Sequence, residues 1–334
     1  MYVRRWLVTM GDFHSASGQL LDVTWNGEGL RYSVRCEFVP PQELRVVGKG
    51  FTGAKILGDS IYVAGFNAVY RGSVHDSHVS LWIARADFND LHDVDLVAQN
   101  GRIERVYVAN TGRDCIDTLD ADGQLLQRLP LVAADGAVKT AASSAYFADS
   151  DRSAPFHRRK IPTCVHPNSV RWIDGRLWYA RFADRAIVVM DREHEWRAST
   201  AGCPHDLVPF GRDIWFTTTD GRIWRLPSDL SAGTPSLVHD TFALTGFSGW
   251  CRGLAIDEEF VLVGLTRVAR RVVDRWSDRP HEGTTTRLLL FHRRTEQLMG
   301  SLVLDTLGCH PKVFSILSMP SREARQPKKE VCTS

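Results

Sequence analysis

Several things are missing from this 334-residue chain, and each absence removes a class of protein. No apolar run reaches the roughly 18–20 residues that span a bilayer as a helix. The opening stretch MYVRRWLVTMGDFHS holds too short an apolar segment for a signal-peptide core. There is no excess of one charge: 41 Lys and Arg face 39 Asp and Glu, a net of +2, without the basic surplus of a dedicated nucleic-acid binder. The seven cysteines form no CxxC pair, which argues against a zinc ribbon, and their odd number argues against a disulfide framework. GxSxG, the P-loop, HExxH and a GxGxxG in βαβ context are also missing, which lowers serine hydrolases, NTPases, zincins and Rossmann oxidoreductases. The expectation is a cytoplasmic protein with free thiols that binds neither nucleic acid nor membrane.

No long stretch carries a 3.6-residue apolar period; short β-type runs are present instead. Trp6–Thr9, Ile61–Ala64, Val106–Ala109, Leu177–Ala180, Ile214–Thr217 and Phe260–Val263 are apolar, aromatic or β-branched, and turn residues or charges bound each. Asp122-Gly123, Asp174-Gly175 and Asp220-Gly221 supply the positive φ angles of two-residue hairpins. Tyr62 to Tyr107, Trp178 to Trp215 and Trp215 to Leu262 are 45, 37 and 47 residues apart, the length of a four-stranded propeller blade, with one longer gap of 71 from Tyr107 to Trp178. The segments beginning at Phe51, His92, His166, Pro204 and Trp250 read as repeats of one unit. Lys312–Met319 looks like an inner strand with no second strand after it, and Trp6–Thr9 like a second strand with no inner strand before it. Joining them closes the ring. The fold expected is all-β: a β-propeller, six-bladed by this count with five or seven as alternatives, over residues 1–320. Insertions at 133–160 and 267–287 fall outside the pattern, the second a candidate lid or anion-binding loop, and 321–334 reads as a disordered tail.

In a propeller the starts of the innermost strands converge on one mouth of the central channel. The residues just ahead of the repeated Leu or Val are His92, His166, Asn168, His205 and Arg252. Convergent imidazoles suit a divalent metal (Fe, Zn, Mn or Cu), with His92, His166 and His205 as ligands and an open position for substrate. Asp93 and Asp206 follow two of these histidines and are candidates to orient the rings. Arg252 is the natural holder of a substrate carboxylate or phosphate. The opposing reading makes the histidines structural partners of neighbouring blades and Arg252 an inter-blade ion pair. Cys164, Cys203, Cys251 and Cys309 read mainly as core thiols.

HDVDL with the later VYVANTGRDCIDTLD, then HPNSVRWIDGRLWYA, CPHDLVPFGRDIWF and WCRGLAIDEEFVLVGLTR, resembles, in order and spacing, an uncharacterised bacterial propeller family with HDLAW, VNTxFSCL, HLNGL, PHSPRW and TRGLAF motifs. The resemblance covers roughly residues 50–320. It implies functional positions at His92, His166, His205, Asn168 and Arg252, and adds Asn110 and Cys115 as candidate catalytic residues. It also marks a departure: Lys312 and Ser315 stand where that family is acidic. More distantly, HPNSVRWIDGRLW resembles blades of gluconolactonase/SMP-type propellers, which hold a divalent metal at the channel mouth; their acidic ligands are not evident here.

The resulting expectation is a metal-dependent lyase, isomerase or hydrolase acting on a small polar or anionic substrate. The alternatives are a His-ligated non-haem iron oxygenase, a metal-free enzyme with a histidine general base, and a non-catalytic propeller that binds a glycan, peptide or protein.

Overall fold

A computed structural model describes residues 3–133, 153–191, 194–231, 233–268 and 284–319. Most of the two insertions and the whole 321–334 tail lie outside the described residues. The strands follow one another in chain order. Blade one holds β1 (Arg4–Asp12), β2 (Gly18–Trp25) and β3 (Leu30–Phe38); blade two holds β4 (Ala54–Leu57), β5 (Ser60–Ala64), β6 (Ala68–Ser73) and β7 (Val79–Ala84). Blade three is β8 (Leu91–Gln99), β9 (Arg102–Asn110), β10 (Cys115–Leu119) and β11 (Leu125–Pro130). Blade four is β12 (Pro167–Ile173), β13 (Arg176–Arg181), β14 (Ala186–Met190) and β15 (Glu195–Ser199). Blade five is β16 (Pro204–Phe210), β17 (Asp213–Thr218), β18 (Arg222–Pro227) and β19 (Ser236–Asp240). Blade six is β20 (Trp250–Ile256), β21 (Phe260–Thr266), β22 (Arg287–His292) and β23 (Leu298–Val303). The final strand, β24 (Pro311–Ser318), returns to blade one and pairs antiparallel with β1, Trp6 opposite Ser318 and Asp12 opposite Pro311. The fold is a six-bladed β-propeller.

The turn chemistry explains the hairpins. Asp174 and Gly175 have φ of 50° and 78°, so both central residues are left-handed and β12 returns directly as β13, with Ile173 opposite Arg176. Asn100 and Gly101 do the same between β8 and β9, a hairpin the sequence reading did not single out. One short helix, Thr241–Thr245, is capped by the Asp240 carboxylate and ends at Gly246.

The core is distributed between blades. Central strands are apolar on both faces, because each face packs on a different neighbour. Ile61 and Val63 of β5 join the cluster toward blade one, whereas Tyr62 and Ala64 join the cluster toward blade three. Leu177 and Tyr179 of β13 likewise face blade three, while Trp178 and Ala180 face blade five. Six such clusters fill the six interfaces, the last uniting Trp6, Val8 and Val313 with Leu262 and Leu288. This double burial is why the second strands read as continuous apolar runs rather than as alternating ones.

Candidate functional site at the channel mouth

The innermost strands are β24, β4, β8, β12, β16 and β20, arranged around the ring in that order. Their first residues gather at one end of the central channel. His92, Asn168, His205 and Lys312 each occupy the second position of an inner strand, and Arg252 the third. Four of these strands break register here: between Leu91 and Asp93, Pro167 and Ser169, His205 and Val208, and Arg252 and Leu254. A bulge re-aims the side chains beside it, so a device repeated from blade to blade turns polar residues inward. Asp206 and Gly253, with φ of 55° and 76°, supply the left-handed residue in two of them.

Relative to these bulges the three histidines are not equivalent, contrary to the sequence expectation. His92 is itself the bulged residue, His205 directly precedes its bulge, and His166 lies ahead of β12 on a left-handed backbone with φ of 56°. The Asp114 carboxylate fixes the His166 loop by accepting from the amides of Cys164, Val165 and His166.

The rings of His92 and His166 nonetheless meet edge to face, 4.7 Å apart, and His92 lies 6.1 Å from the ring of Phe314. His92 Nδ1 sits 2.9 Å from the carbonyl of Asp90. A carbonyl only accepts, so Nδ1 carries the proton and Nε2 keeps its lone pair. His166 Nδ1 bonds the Thr163 hydroxyl at 2.8 Å. His205 Nδ1 is 3.5 Å from Asp206, and neither ring nitrogen makes a hydrogen bond.

Around these imidazoles stand three basic side chains. Lys49 is ion-paired with Asp90. Arg252 lies 4.2 Å over the face of Phe314, and its Nη2 is buried without a partner. Lys312 donates to the carbonyl of Gly48 at 2.6 Å, with Nζ 4.2 Å from the Phe13 ring and 5.3 Å from the Phe314 ring. Among the described residues, neither Arg252 nor Lys312 has a carboxylate within ion-pair distance. The amide oxygen of Asn168 is likewise buried and unpartnered.

The electrostatics follow from this crowding. Burial pushes His92 well below the ordinary histidine range, against the pull of Asp90 and reinforced by His166 and Lys49. Burial, with Lys49, His205 and Arg252 nearby, brings His166 down to about 4. Both rings are therefore neutral near pH 7. Burial raises Asp90, but Lys49 and the two imidazoles outweigh it and hold the carboxyl below its usual range. Burial brings Arg252 down to about 10. Lys312 is pushed well below the ordinary lysine range by burial and then by the positive neighbours Lys49 and Arg252. The two rings near Lys312 favour an ammonium by only ~0.5–2 kcal/mol, against a desolvation cost of several kcal/mol for a buried ion.

This environment does not fit a divalent cation. Among the described residues no three His, Cys, Asp or Glu side chains are grouped as a metal would require. His92, His166 and His205 share the mouth but not a coordination point, and three basic side chains share it with them. The metal triad expected from the sequence finds no grouped ligand set among the described residues, and the basic side chains beside it have the sign that attracts an anion.

Two further candidates are engaged within blade three. Asn110 is wholly engaged in the frame of blade three: its Oδ1 accepts from the Asn89 amide, and its Nδ2 donates to the Asp87 carbonyl and the Asp117 carboxylate. Cys115 is buried beside Asp117, 3.6 Å from its carboxylate, and burial together with that charge raises its thiol far above the ordinary range. Neither has a group to offer a substrate. Asp93 orients no imidazole; it bridges blades three and four by accepting from Ser169 Oγ, the Val170 amide and Arg171. Asp206 stays near His205 but spends one oxygen on Thr217 and the Gly253 amide. Cys203 and Cys251 are buried and Cys309 is exposed; all six described cysteines are free.

The sequence reading did not find Lys49 or Asp90, and saw Lys312 only as a departure from an acidic pattern. The available signal at Lys49 was its flanking pair of glycines. Gly48 and Gly50 have φ of 88° and 75°, and a Cβ on Gly50 would stand 2.3 Å from the Ser17 carbonyl. The end of the 133–160 insertion packs on the same side. Asn89 donates to the carbonyls of Phe156 and Arg159, and Asn67 to that of His157. Whether residues 134–152 cover the mouth lies outside the described residues, as do residues 269–283 of the other insertion.

No family model matches the sequence, and no curated protein matches it. Solved structures share its fold. A chain from the crystal structure of a nidogen/laminin complex superposes with a TM-score of 0.58 at 10% identity, over 96% of this chain and 99% of that one. A protein of unknown function from Bacteroides caccae does so with a TM-score of 0.58 at 9% identity, over 95% and 98%. At such identities the likeness is one of fold. The propeller implied by the two family resemblances is present, and membership in either family is not shown.

Proposed function

We propose that the channel mouth binds a small anionic molecule and acts on it by metal-free acid–base chemistry. The observation that carries this reading is the set of buried, unpartnered polar atoms at one place: Arg252 Nη2, Asn168 Oδ1 and the two ring nitrogens of His205. Unpaired buried polar groups cost ~1–3 kcal/mol each, and a ligand that pairs them recovers that cost. Arg252 holds the carboxylate or phosphate, Asn168 accepts a hydroxyl or N–H, and His92 Nε2 takes a proton as general base. The ligand is a small molecule, since these side chains are buried and a macromolecular surface does not reach them. The resemblance to the uncharacterised bacterial family, whose histidines, asparagine and arginine fall on these positions, supports the location. A lyase or isomerase step, which needs only proton movement, suits neutral imidazoles better than an oxygenation does.

The test is calorimetric titration with phosphate and with small mono- and dicarboxylates. Binding is expected, and Arg252→Ala should weaken it roughly 30-fold or more, the equivalent of losing a buried charge pair. Absence of binding, or binding indifferent to Arg252, overturns the reading. Any activity found should show a bell-shaped pH profile insensitive to chelator.

A further inference from the structure

One buried amine at the mouth has no role in that chemistry. Lys312 is 3% exposed and sits on β24, the strand that closes the ring. A lysine buried for structural reasons alone is expected beside a carboxylate; among the described residues this one has none within ion-pair distance, and Lys49 and Arg252 act on it more strongly than the opposing Asp90 and Asp12. Its position is fixed by the bond to the Gly48 carbonyl and by the faces of Phe13 and Phe314. Phe314 also carries the Arg252 guanidinium 4.2 Å above its ring. A carboxylate holder and an amine therefore lie against the same aromatic ring, 4.2 and 5.3 Å from its centroid. In a 2-oxo acid the carboxylate and the electrophilic carbonyl carbon are likewise neighbours.

We infer that Lys312 forms a Schiff base with the carbonyl carbon of a 2-oxo acid whose carboxylate pairs with Arg252. Burial and the positive neighbours Lys49 and Arg252, against the pull of Asp90 and Asp12, shift the amine toward its unprotonated form, the form that attacks a carbonyl. The nitrogen lone pair adds to the carbonyl carbon, the C=O electron pair moves to oxygen, and one proton of the resulting ammonium passes to that oxygen. A further proton, taken from solvent, converts the hydroxyl to water, which leaves as the nitrogen pair forms C=N. The product is an iminium. It draws electrons from a C–H bond on carbon 3, whose proton goes to an imidazole, and the enamine so formed is reprotonated at carbon 3 to restore the iminium. Water then adds to the C=N carbon, and the carbonyl, the free amine and the proton taken up return with no net oxidation. This inference rests on the anion site proposed above and adds the identity of the electrophile.

Pyruvate and sodium cyanoborohydride test it on the full chain, because hydride converts the imine to a stable secondary amine on the lysine that formed it. Peptide mapping of the wild-type protein should place the adduct on Lys312, roughly tenfold or more above any surface lysine, because Arg252 holds the carboxylate at the same ring and makes the attack effectively intramolecular. Excess lactate, which has the carboxylate but no carbonyl, should suppress it. Lys312→Arg, checked for folding by circular dichroism, should lose the adduct and still bind lactate. Should pyruvate and lactate both bind while labelling falls only on surface lysines, the Schiff base is overturned and the anion site stands. Should neither bind and no adduct form, both are overturned. The mapping on wild-type protein decides the matter even if the variant does not fold.

Discussion

Arg252 is a cation held in a protein interior without a carboxylate within ion-pair distance among the described residues, which costs stability that the fold has to supply elsewhere. Replacing it by methionine keeps most of the apolar stem and removes the charge. We expect Arg252→Met to raise the unfolding free energy in urea by about 1 kcal/mol or more, while anion binding falls. A loss of stability would mean that the charge is structural. Thiol labelling separates two other residues: Cys309 should react in the native protein, and Cys115 only after unfolding. Arg252, Asn168 and the histidines were legible in the sequence because each stands near the start of a repeated inner strand. Lys49 was not. A lysine between two glycines reads as a solvated loop residue, and its burial depends on Asp90 and on a carbonyl–amine bond between Gly48 and Lys312, 264 positions apart.

At the level of strands, the bulges decide which side chains enter the channel. The sequence shows the apolar anchor of each inner strand but not the extra residue that precedes it, so histidines that look equivalent occupy three different positions. Carboxylates on these strands join one blade to the next. Asp93 is the most engaged, with three donors from blade four, among them the buried Arg171. Asp93→Ala should destabilise the protein by about 3–5 kcal/mol, because Arg171 is then left charged and unpaired in the interior. Adding Arg171→Met should recover part of that loss in equilibrium denaturation; if the double variant is no better than the single one, the ion pair is not the source of the cost.

Across the whole molecule, stability should depend on pH through buried imidazoles. His92 and His239 are held below the ordinary histidine range mainly by burial, and His166 lies at about 4. The unfolded chain takes up protons below about pH 6.5, whereas the folded one resists until lower pH. Each such histidine therefore removes up to about 1.4 kcal/mol of stability per pH unit as the pH falls from about 6.5 toward 4. Urea midpoints measured at pH 7, 5.5 and 4.5 should fall in that order, and His166→Gln should flatten the trend. Blade number and ring closure were legible from the two unpaired strand segments, since a second strand lacking a first and a first lacking a second complete each other. The charge of the mouth was not, because a net of +2 over the chain conceals three basic side chains brought to one place from distant parts of the chain.

The pairing of β24 with β1 has one more consequence. The strand that seals the ring is also the strand that carries Lys312, and it is translated after every other described strand. A growing polypeptide can finish five blades and still possess no reactive amine at its axis. Chemical competence would then arrive in the same event as architectural completion, and a chain clipped ahead of Pro311 would be silent as well as open.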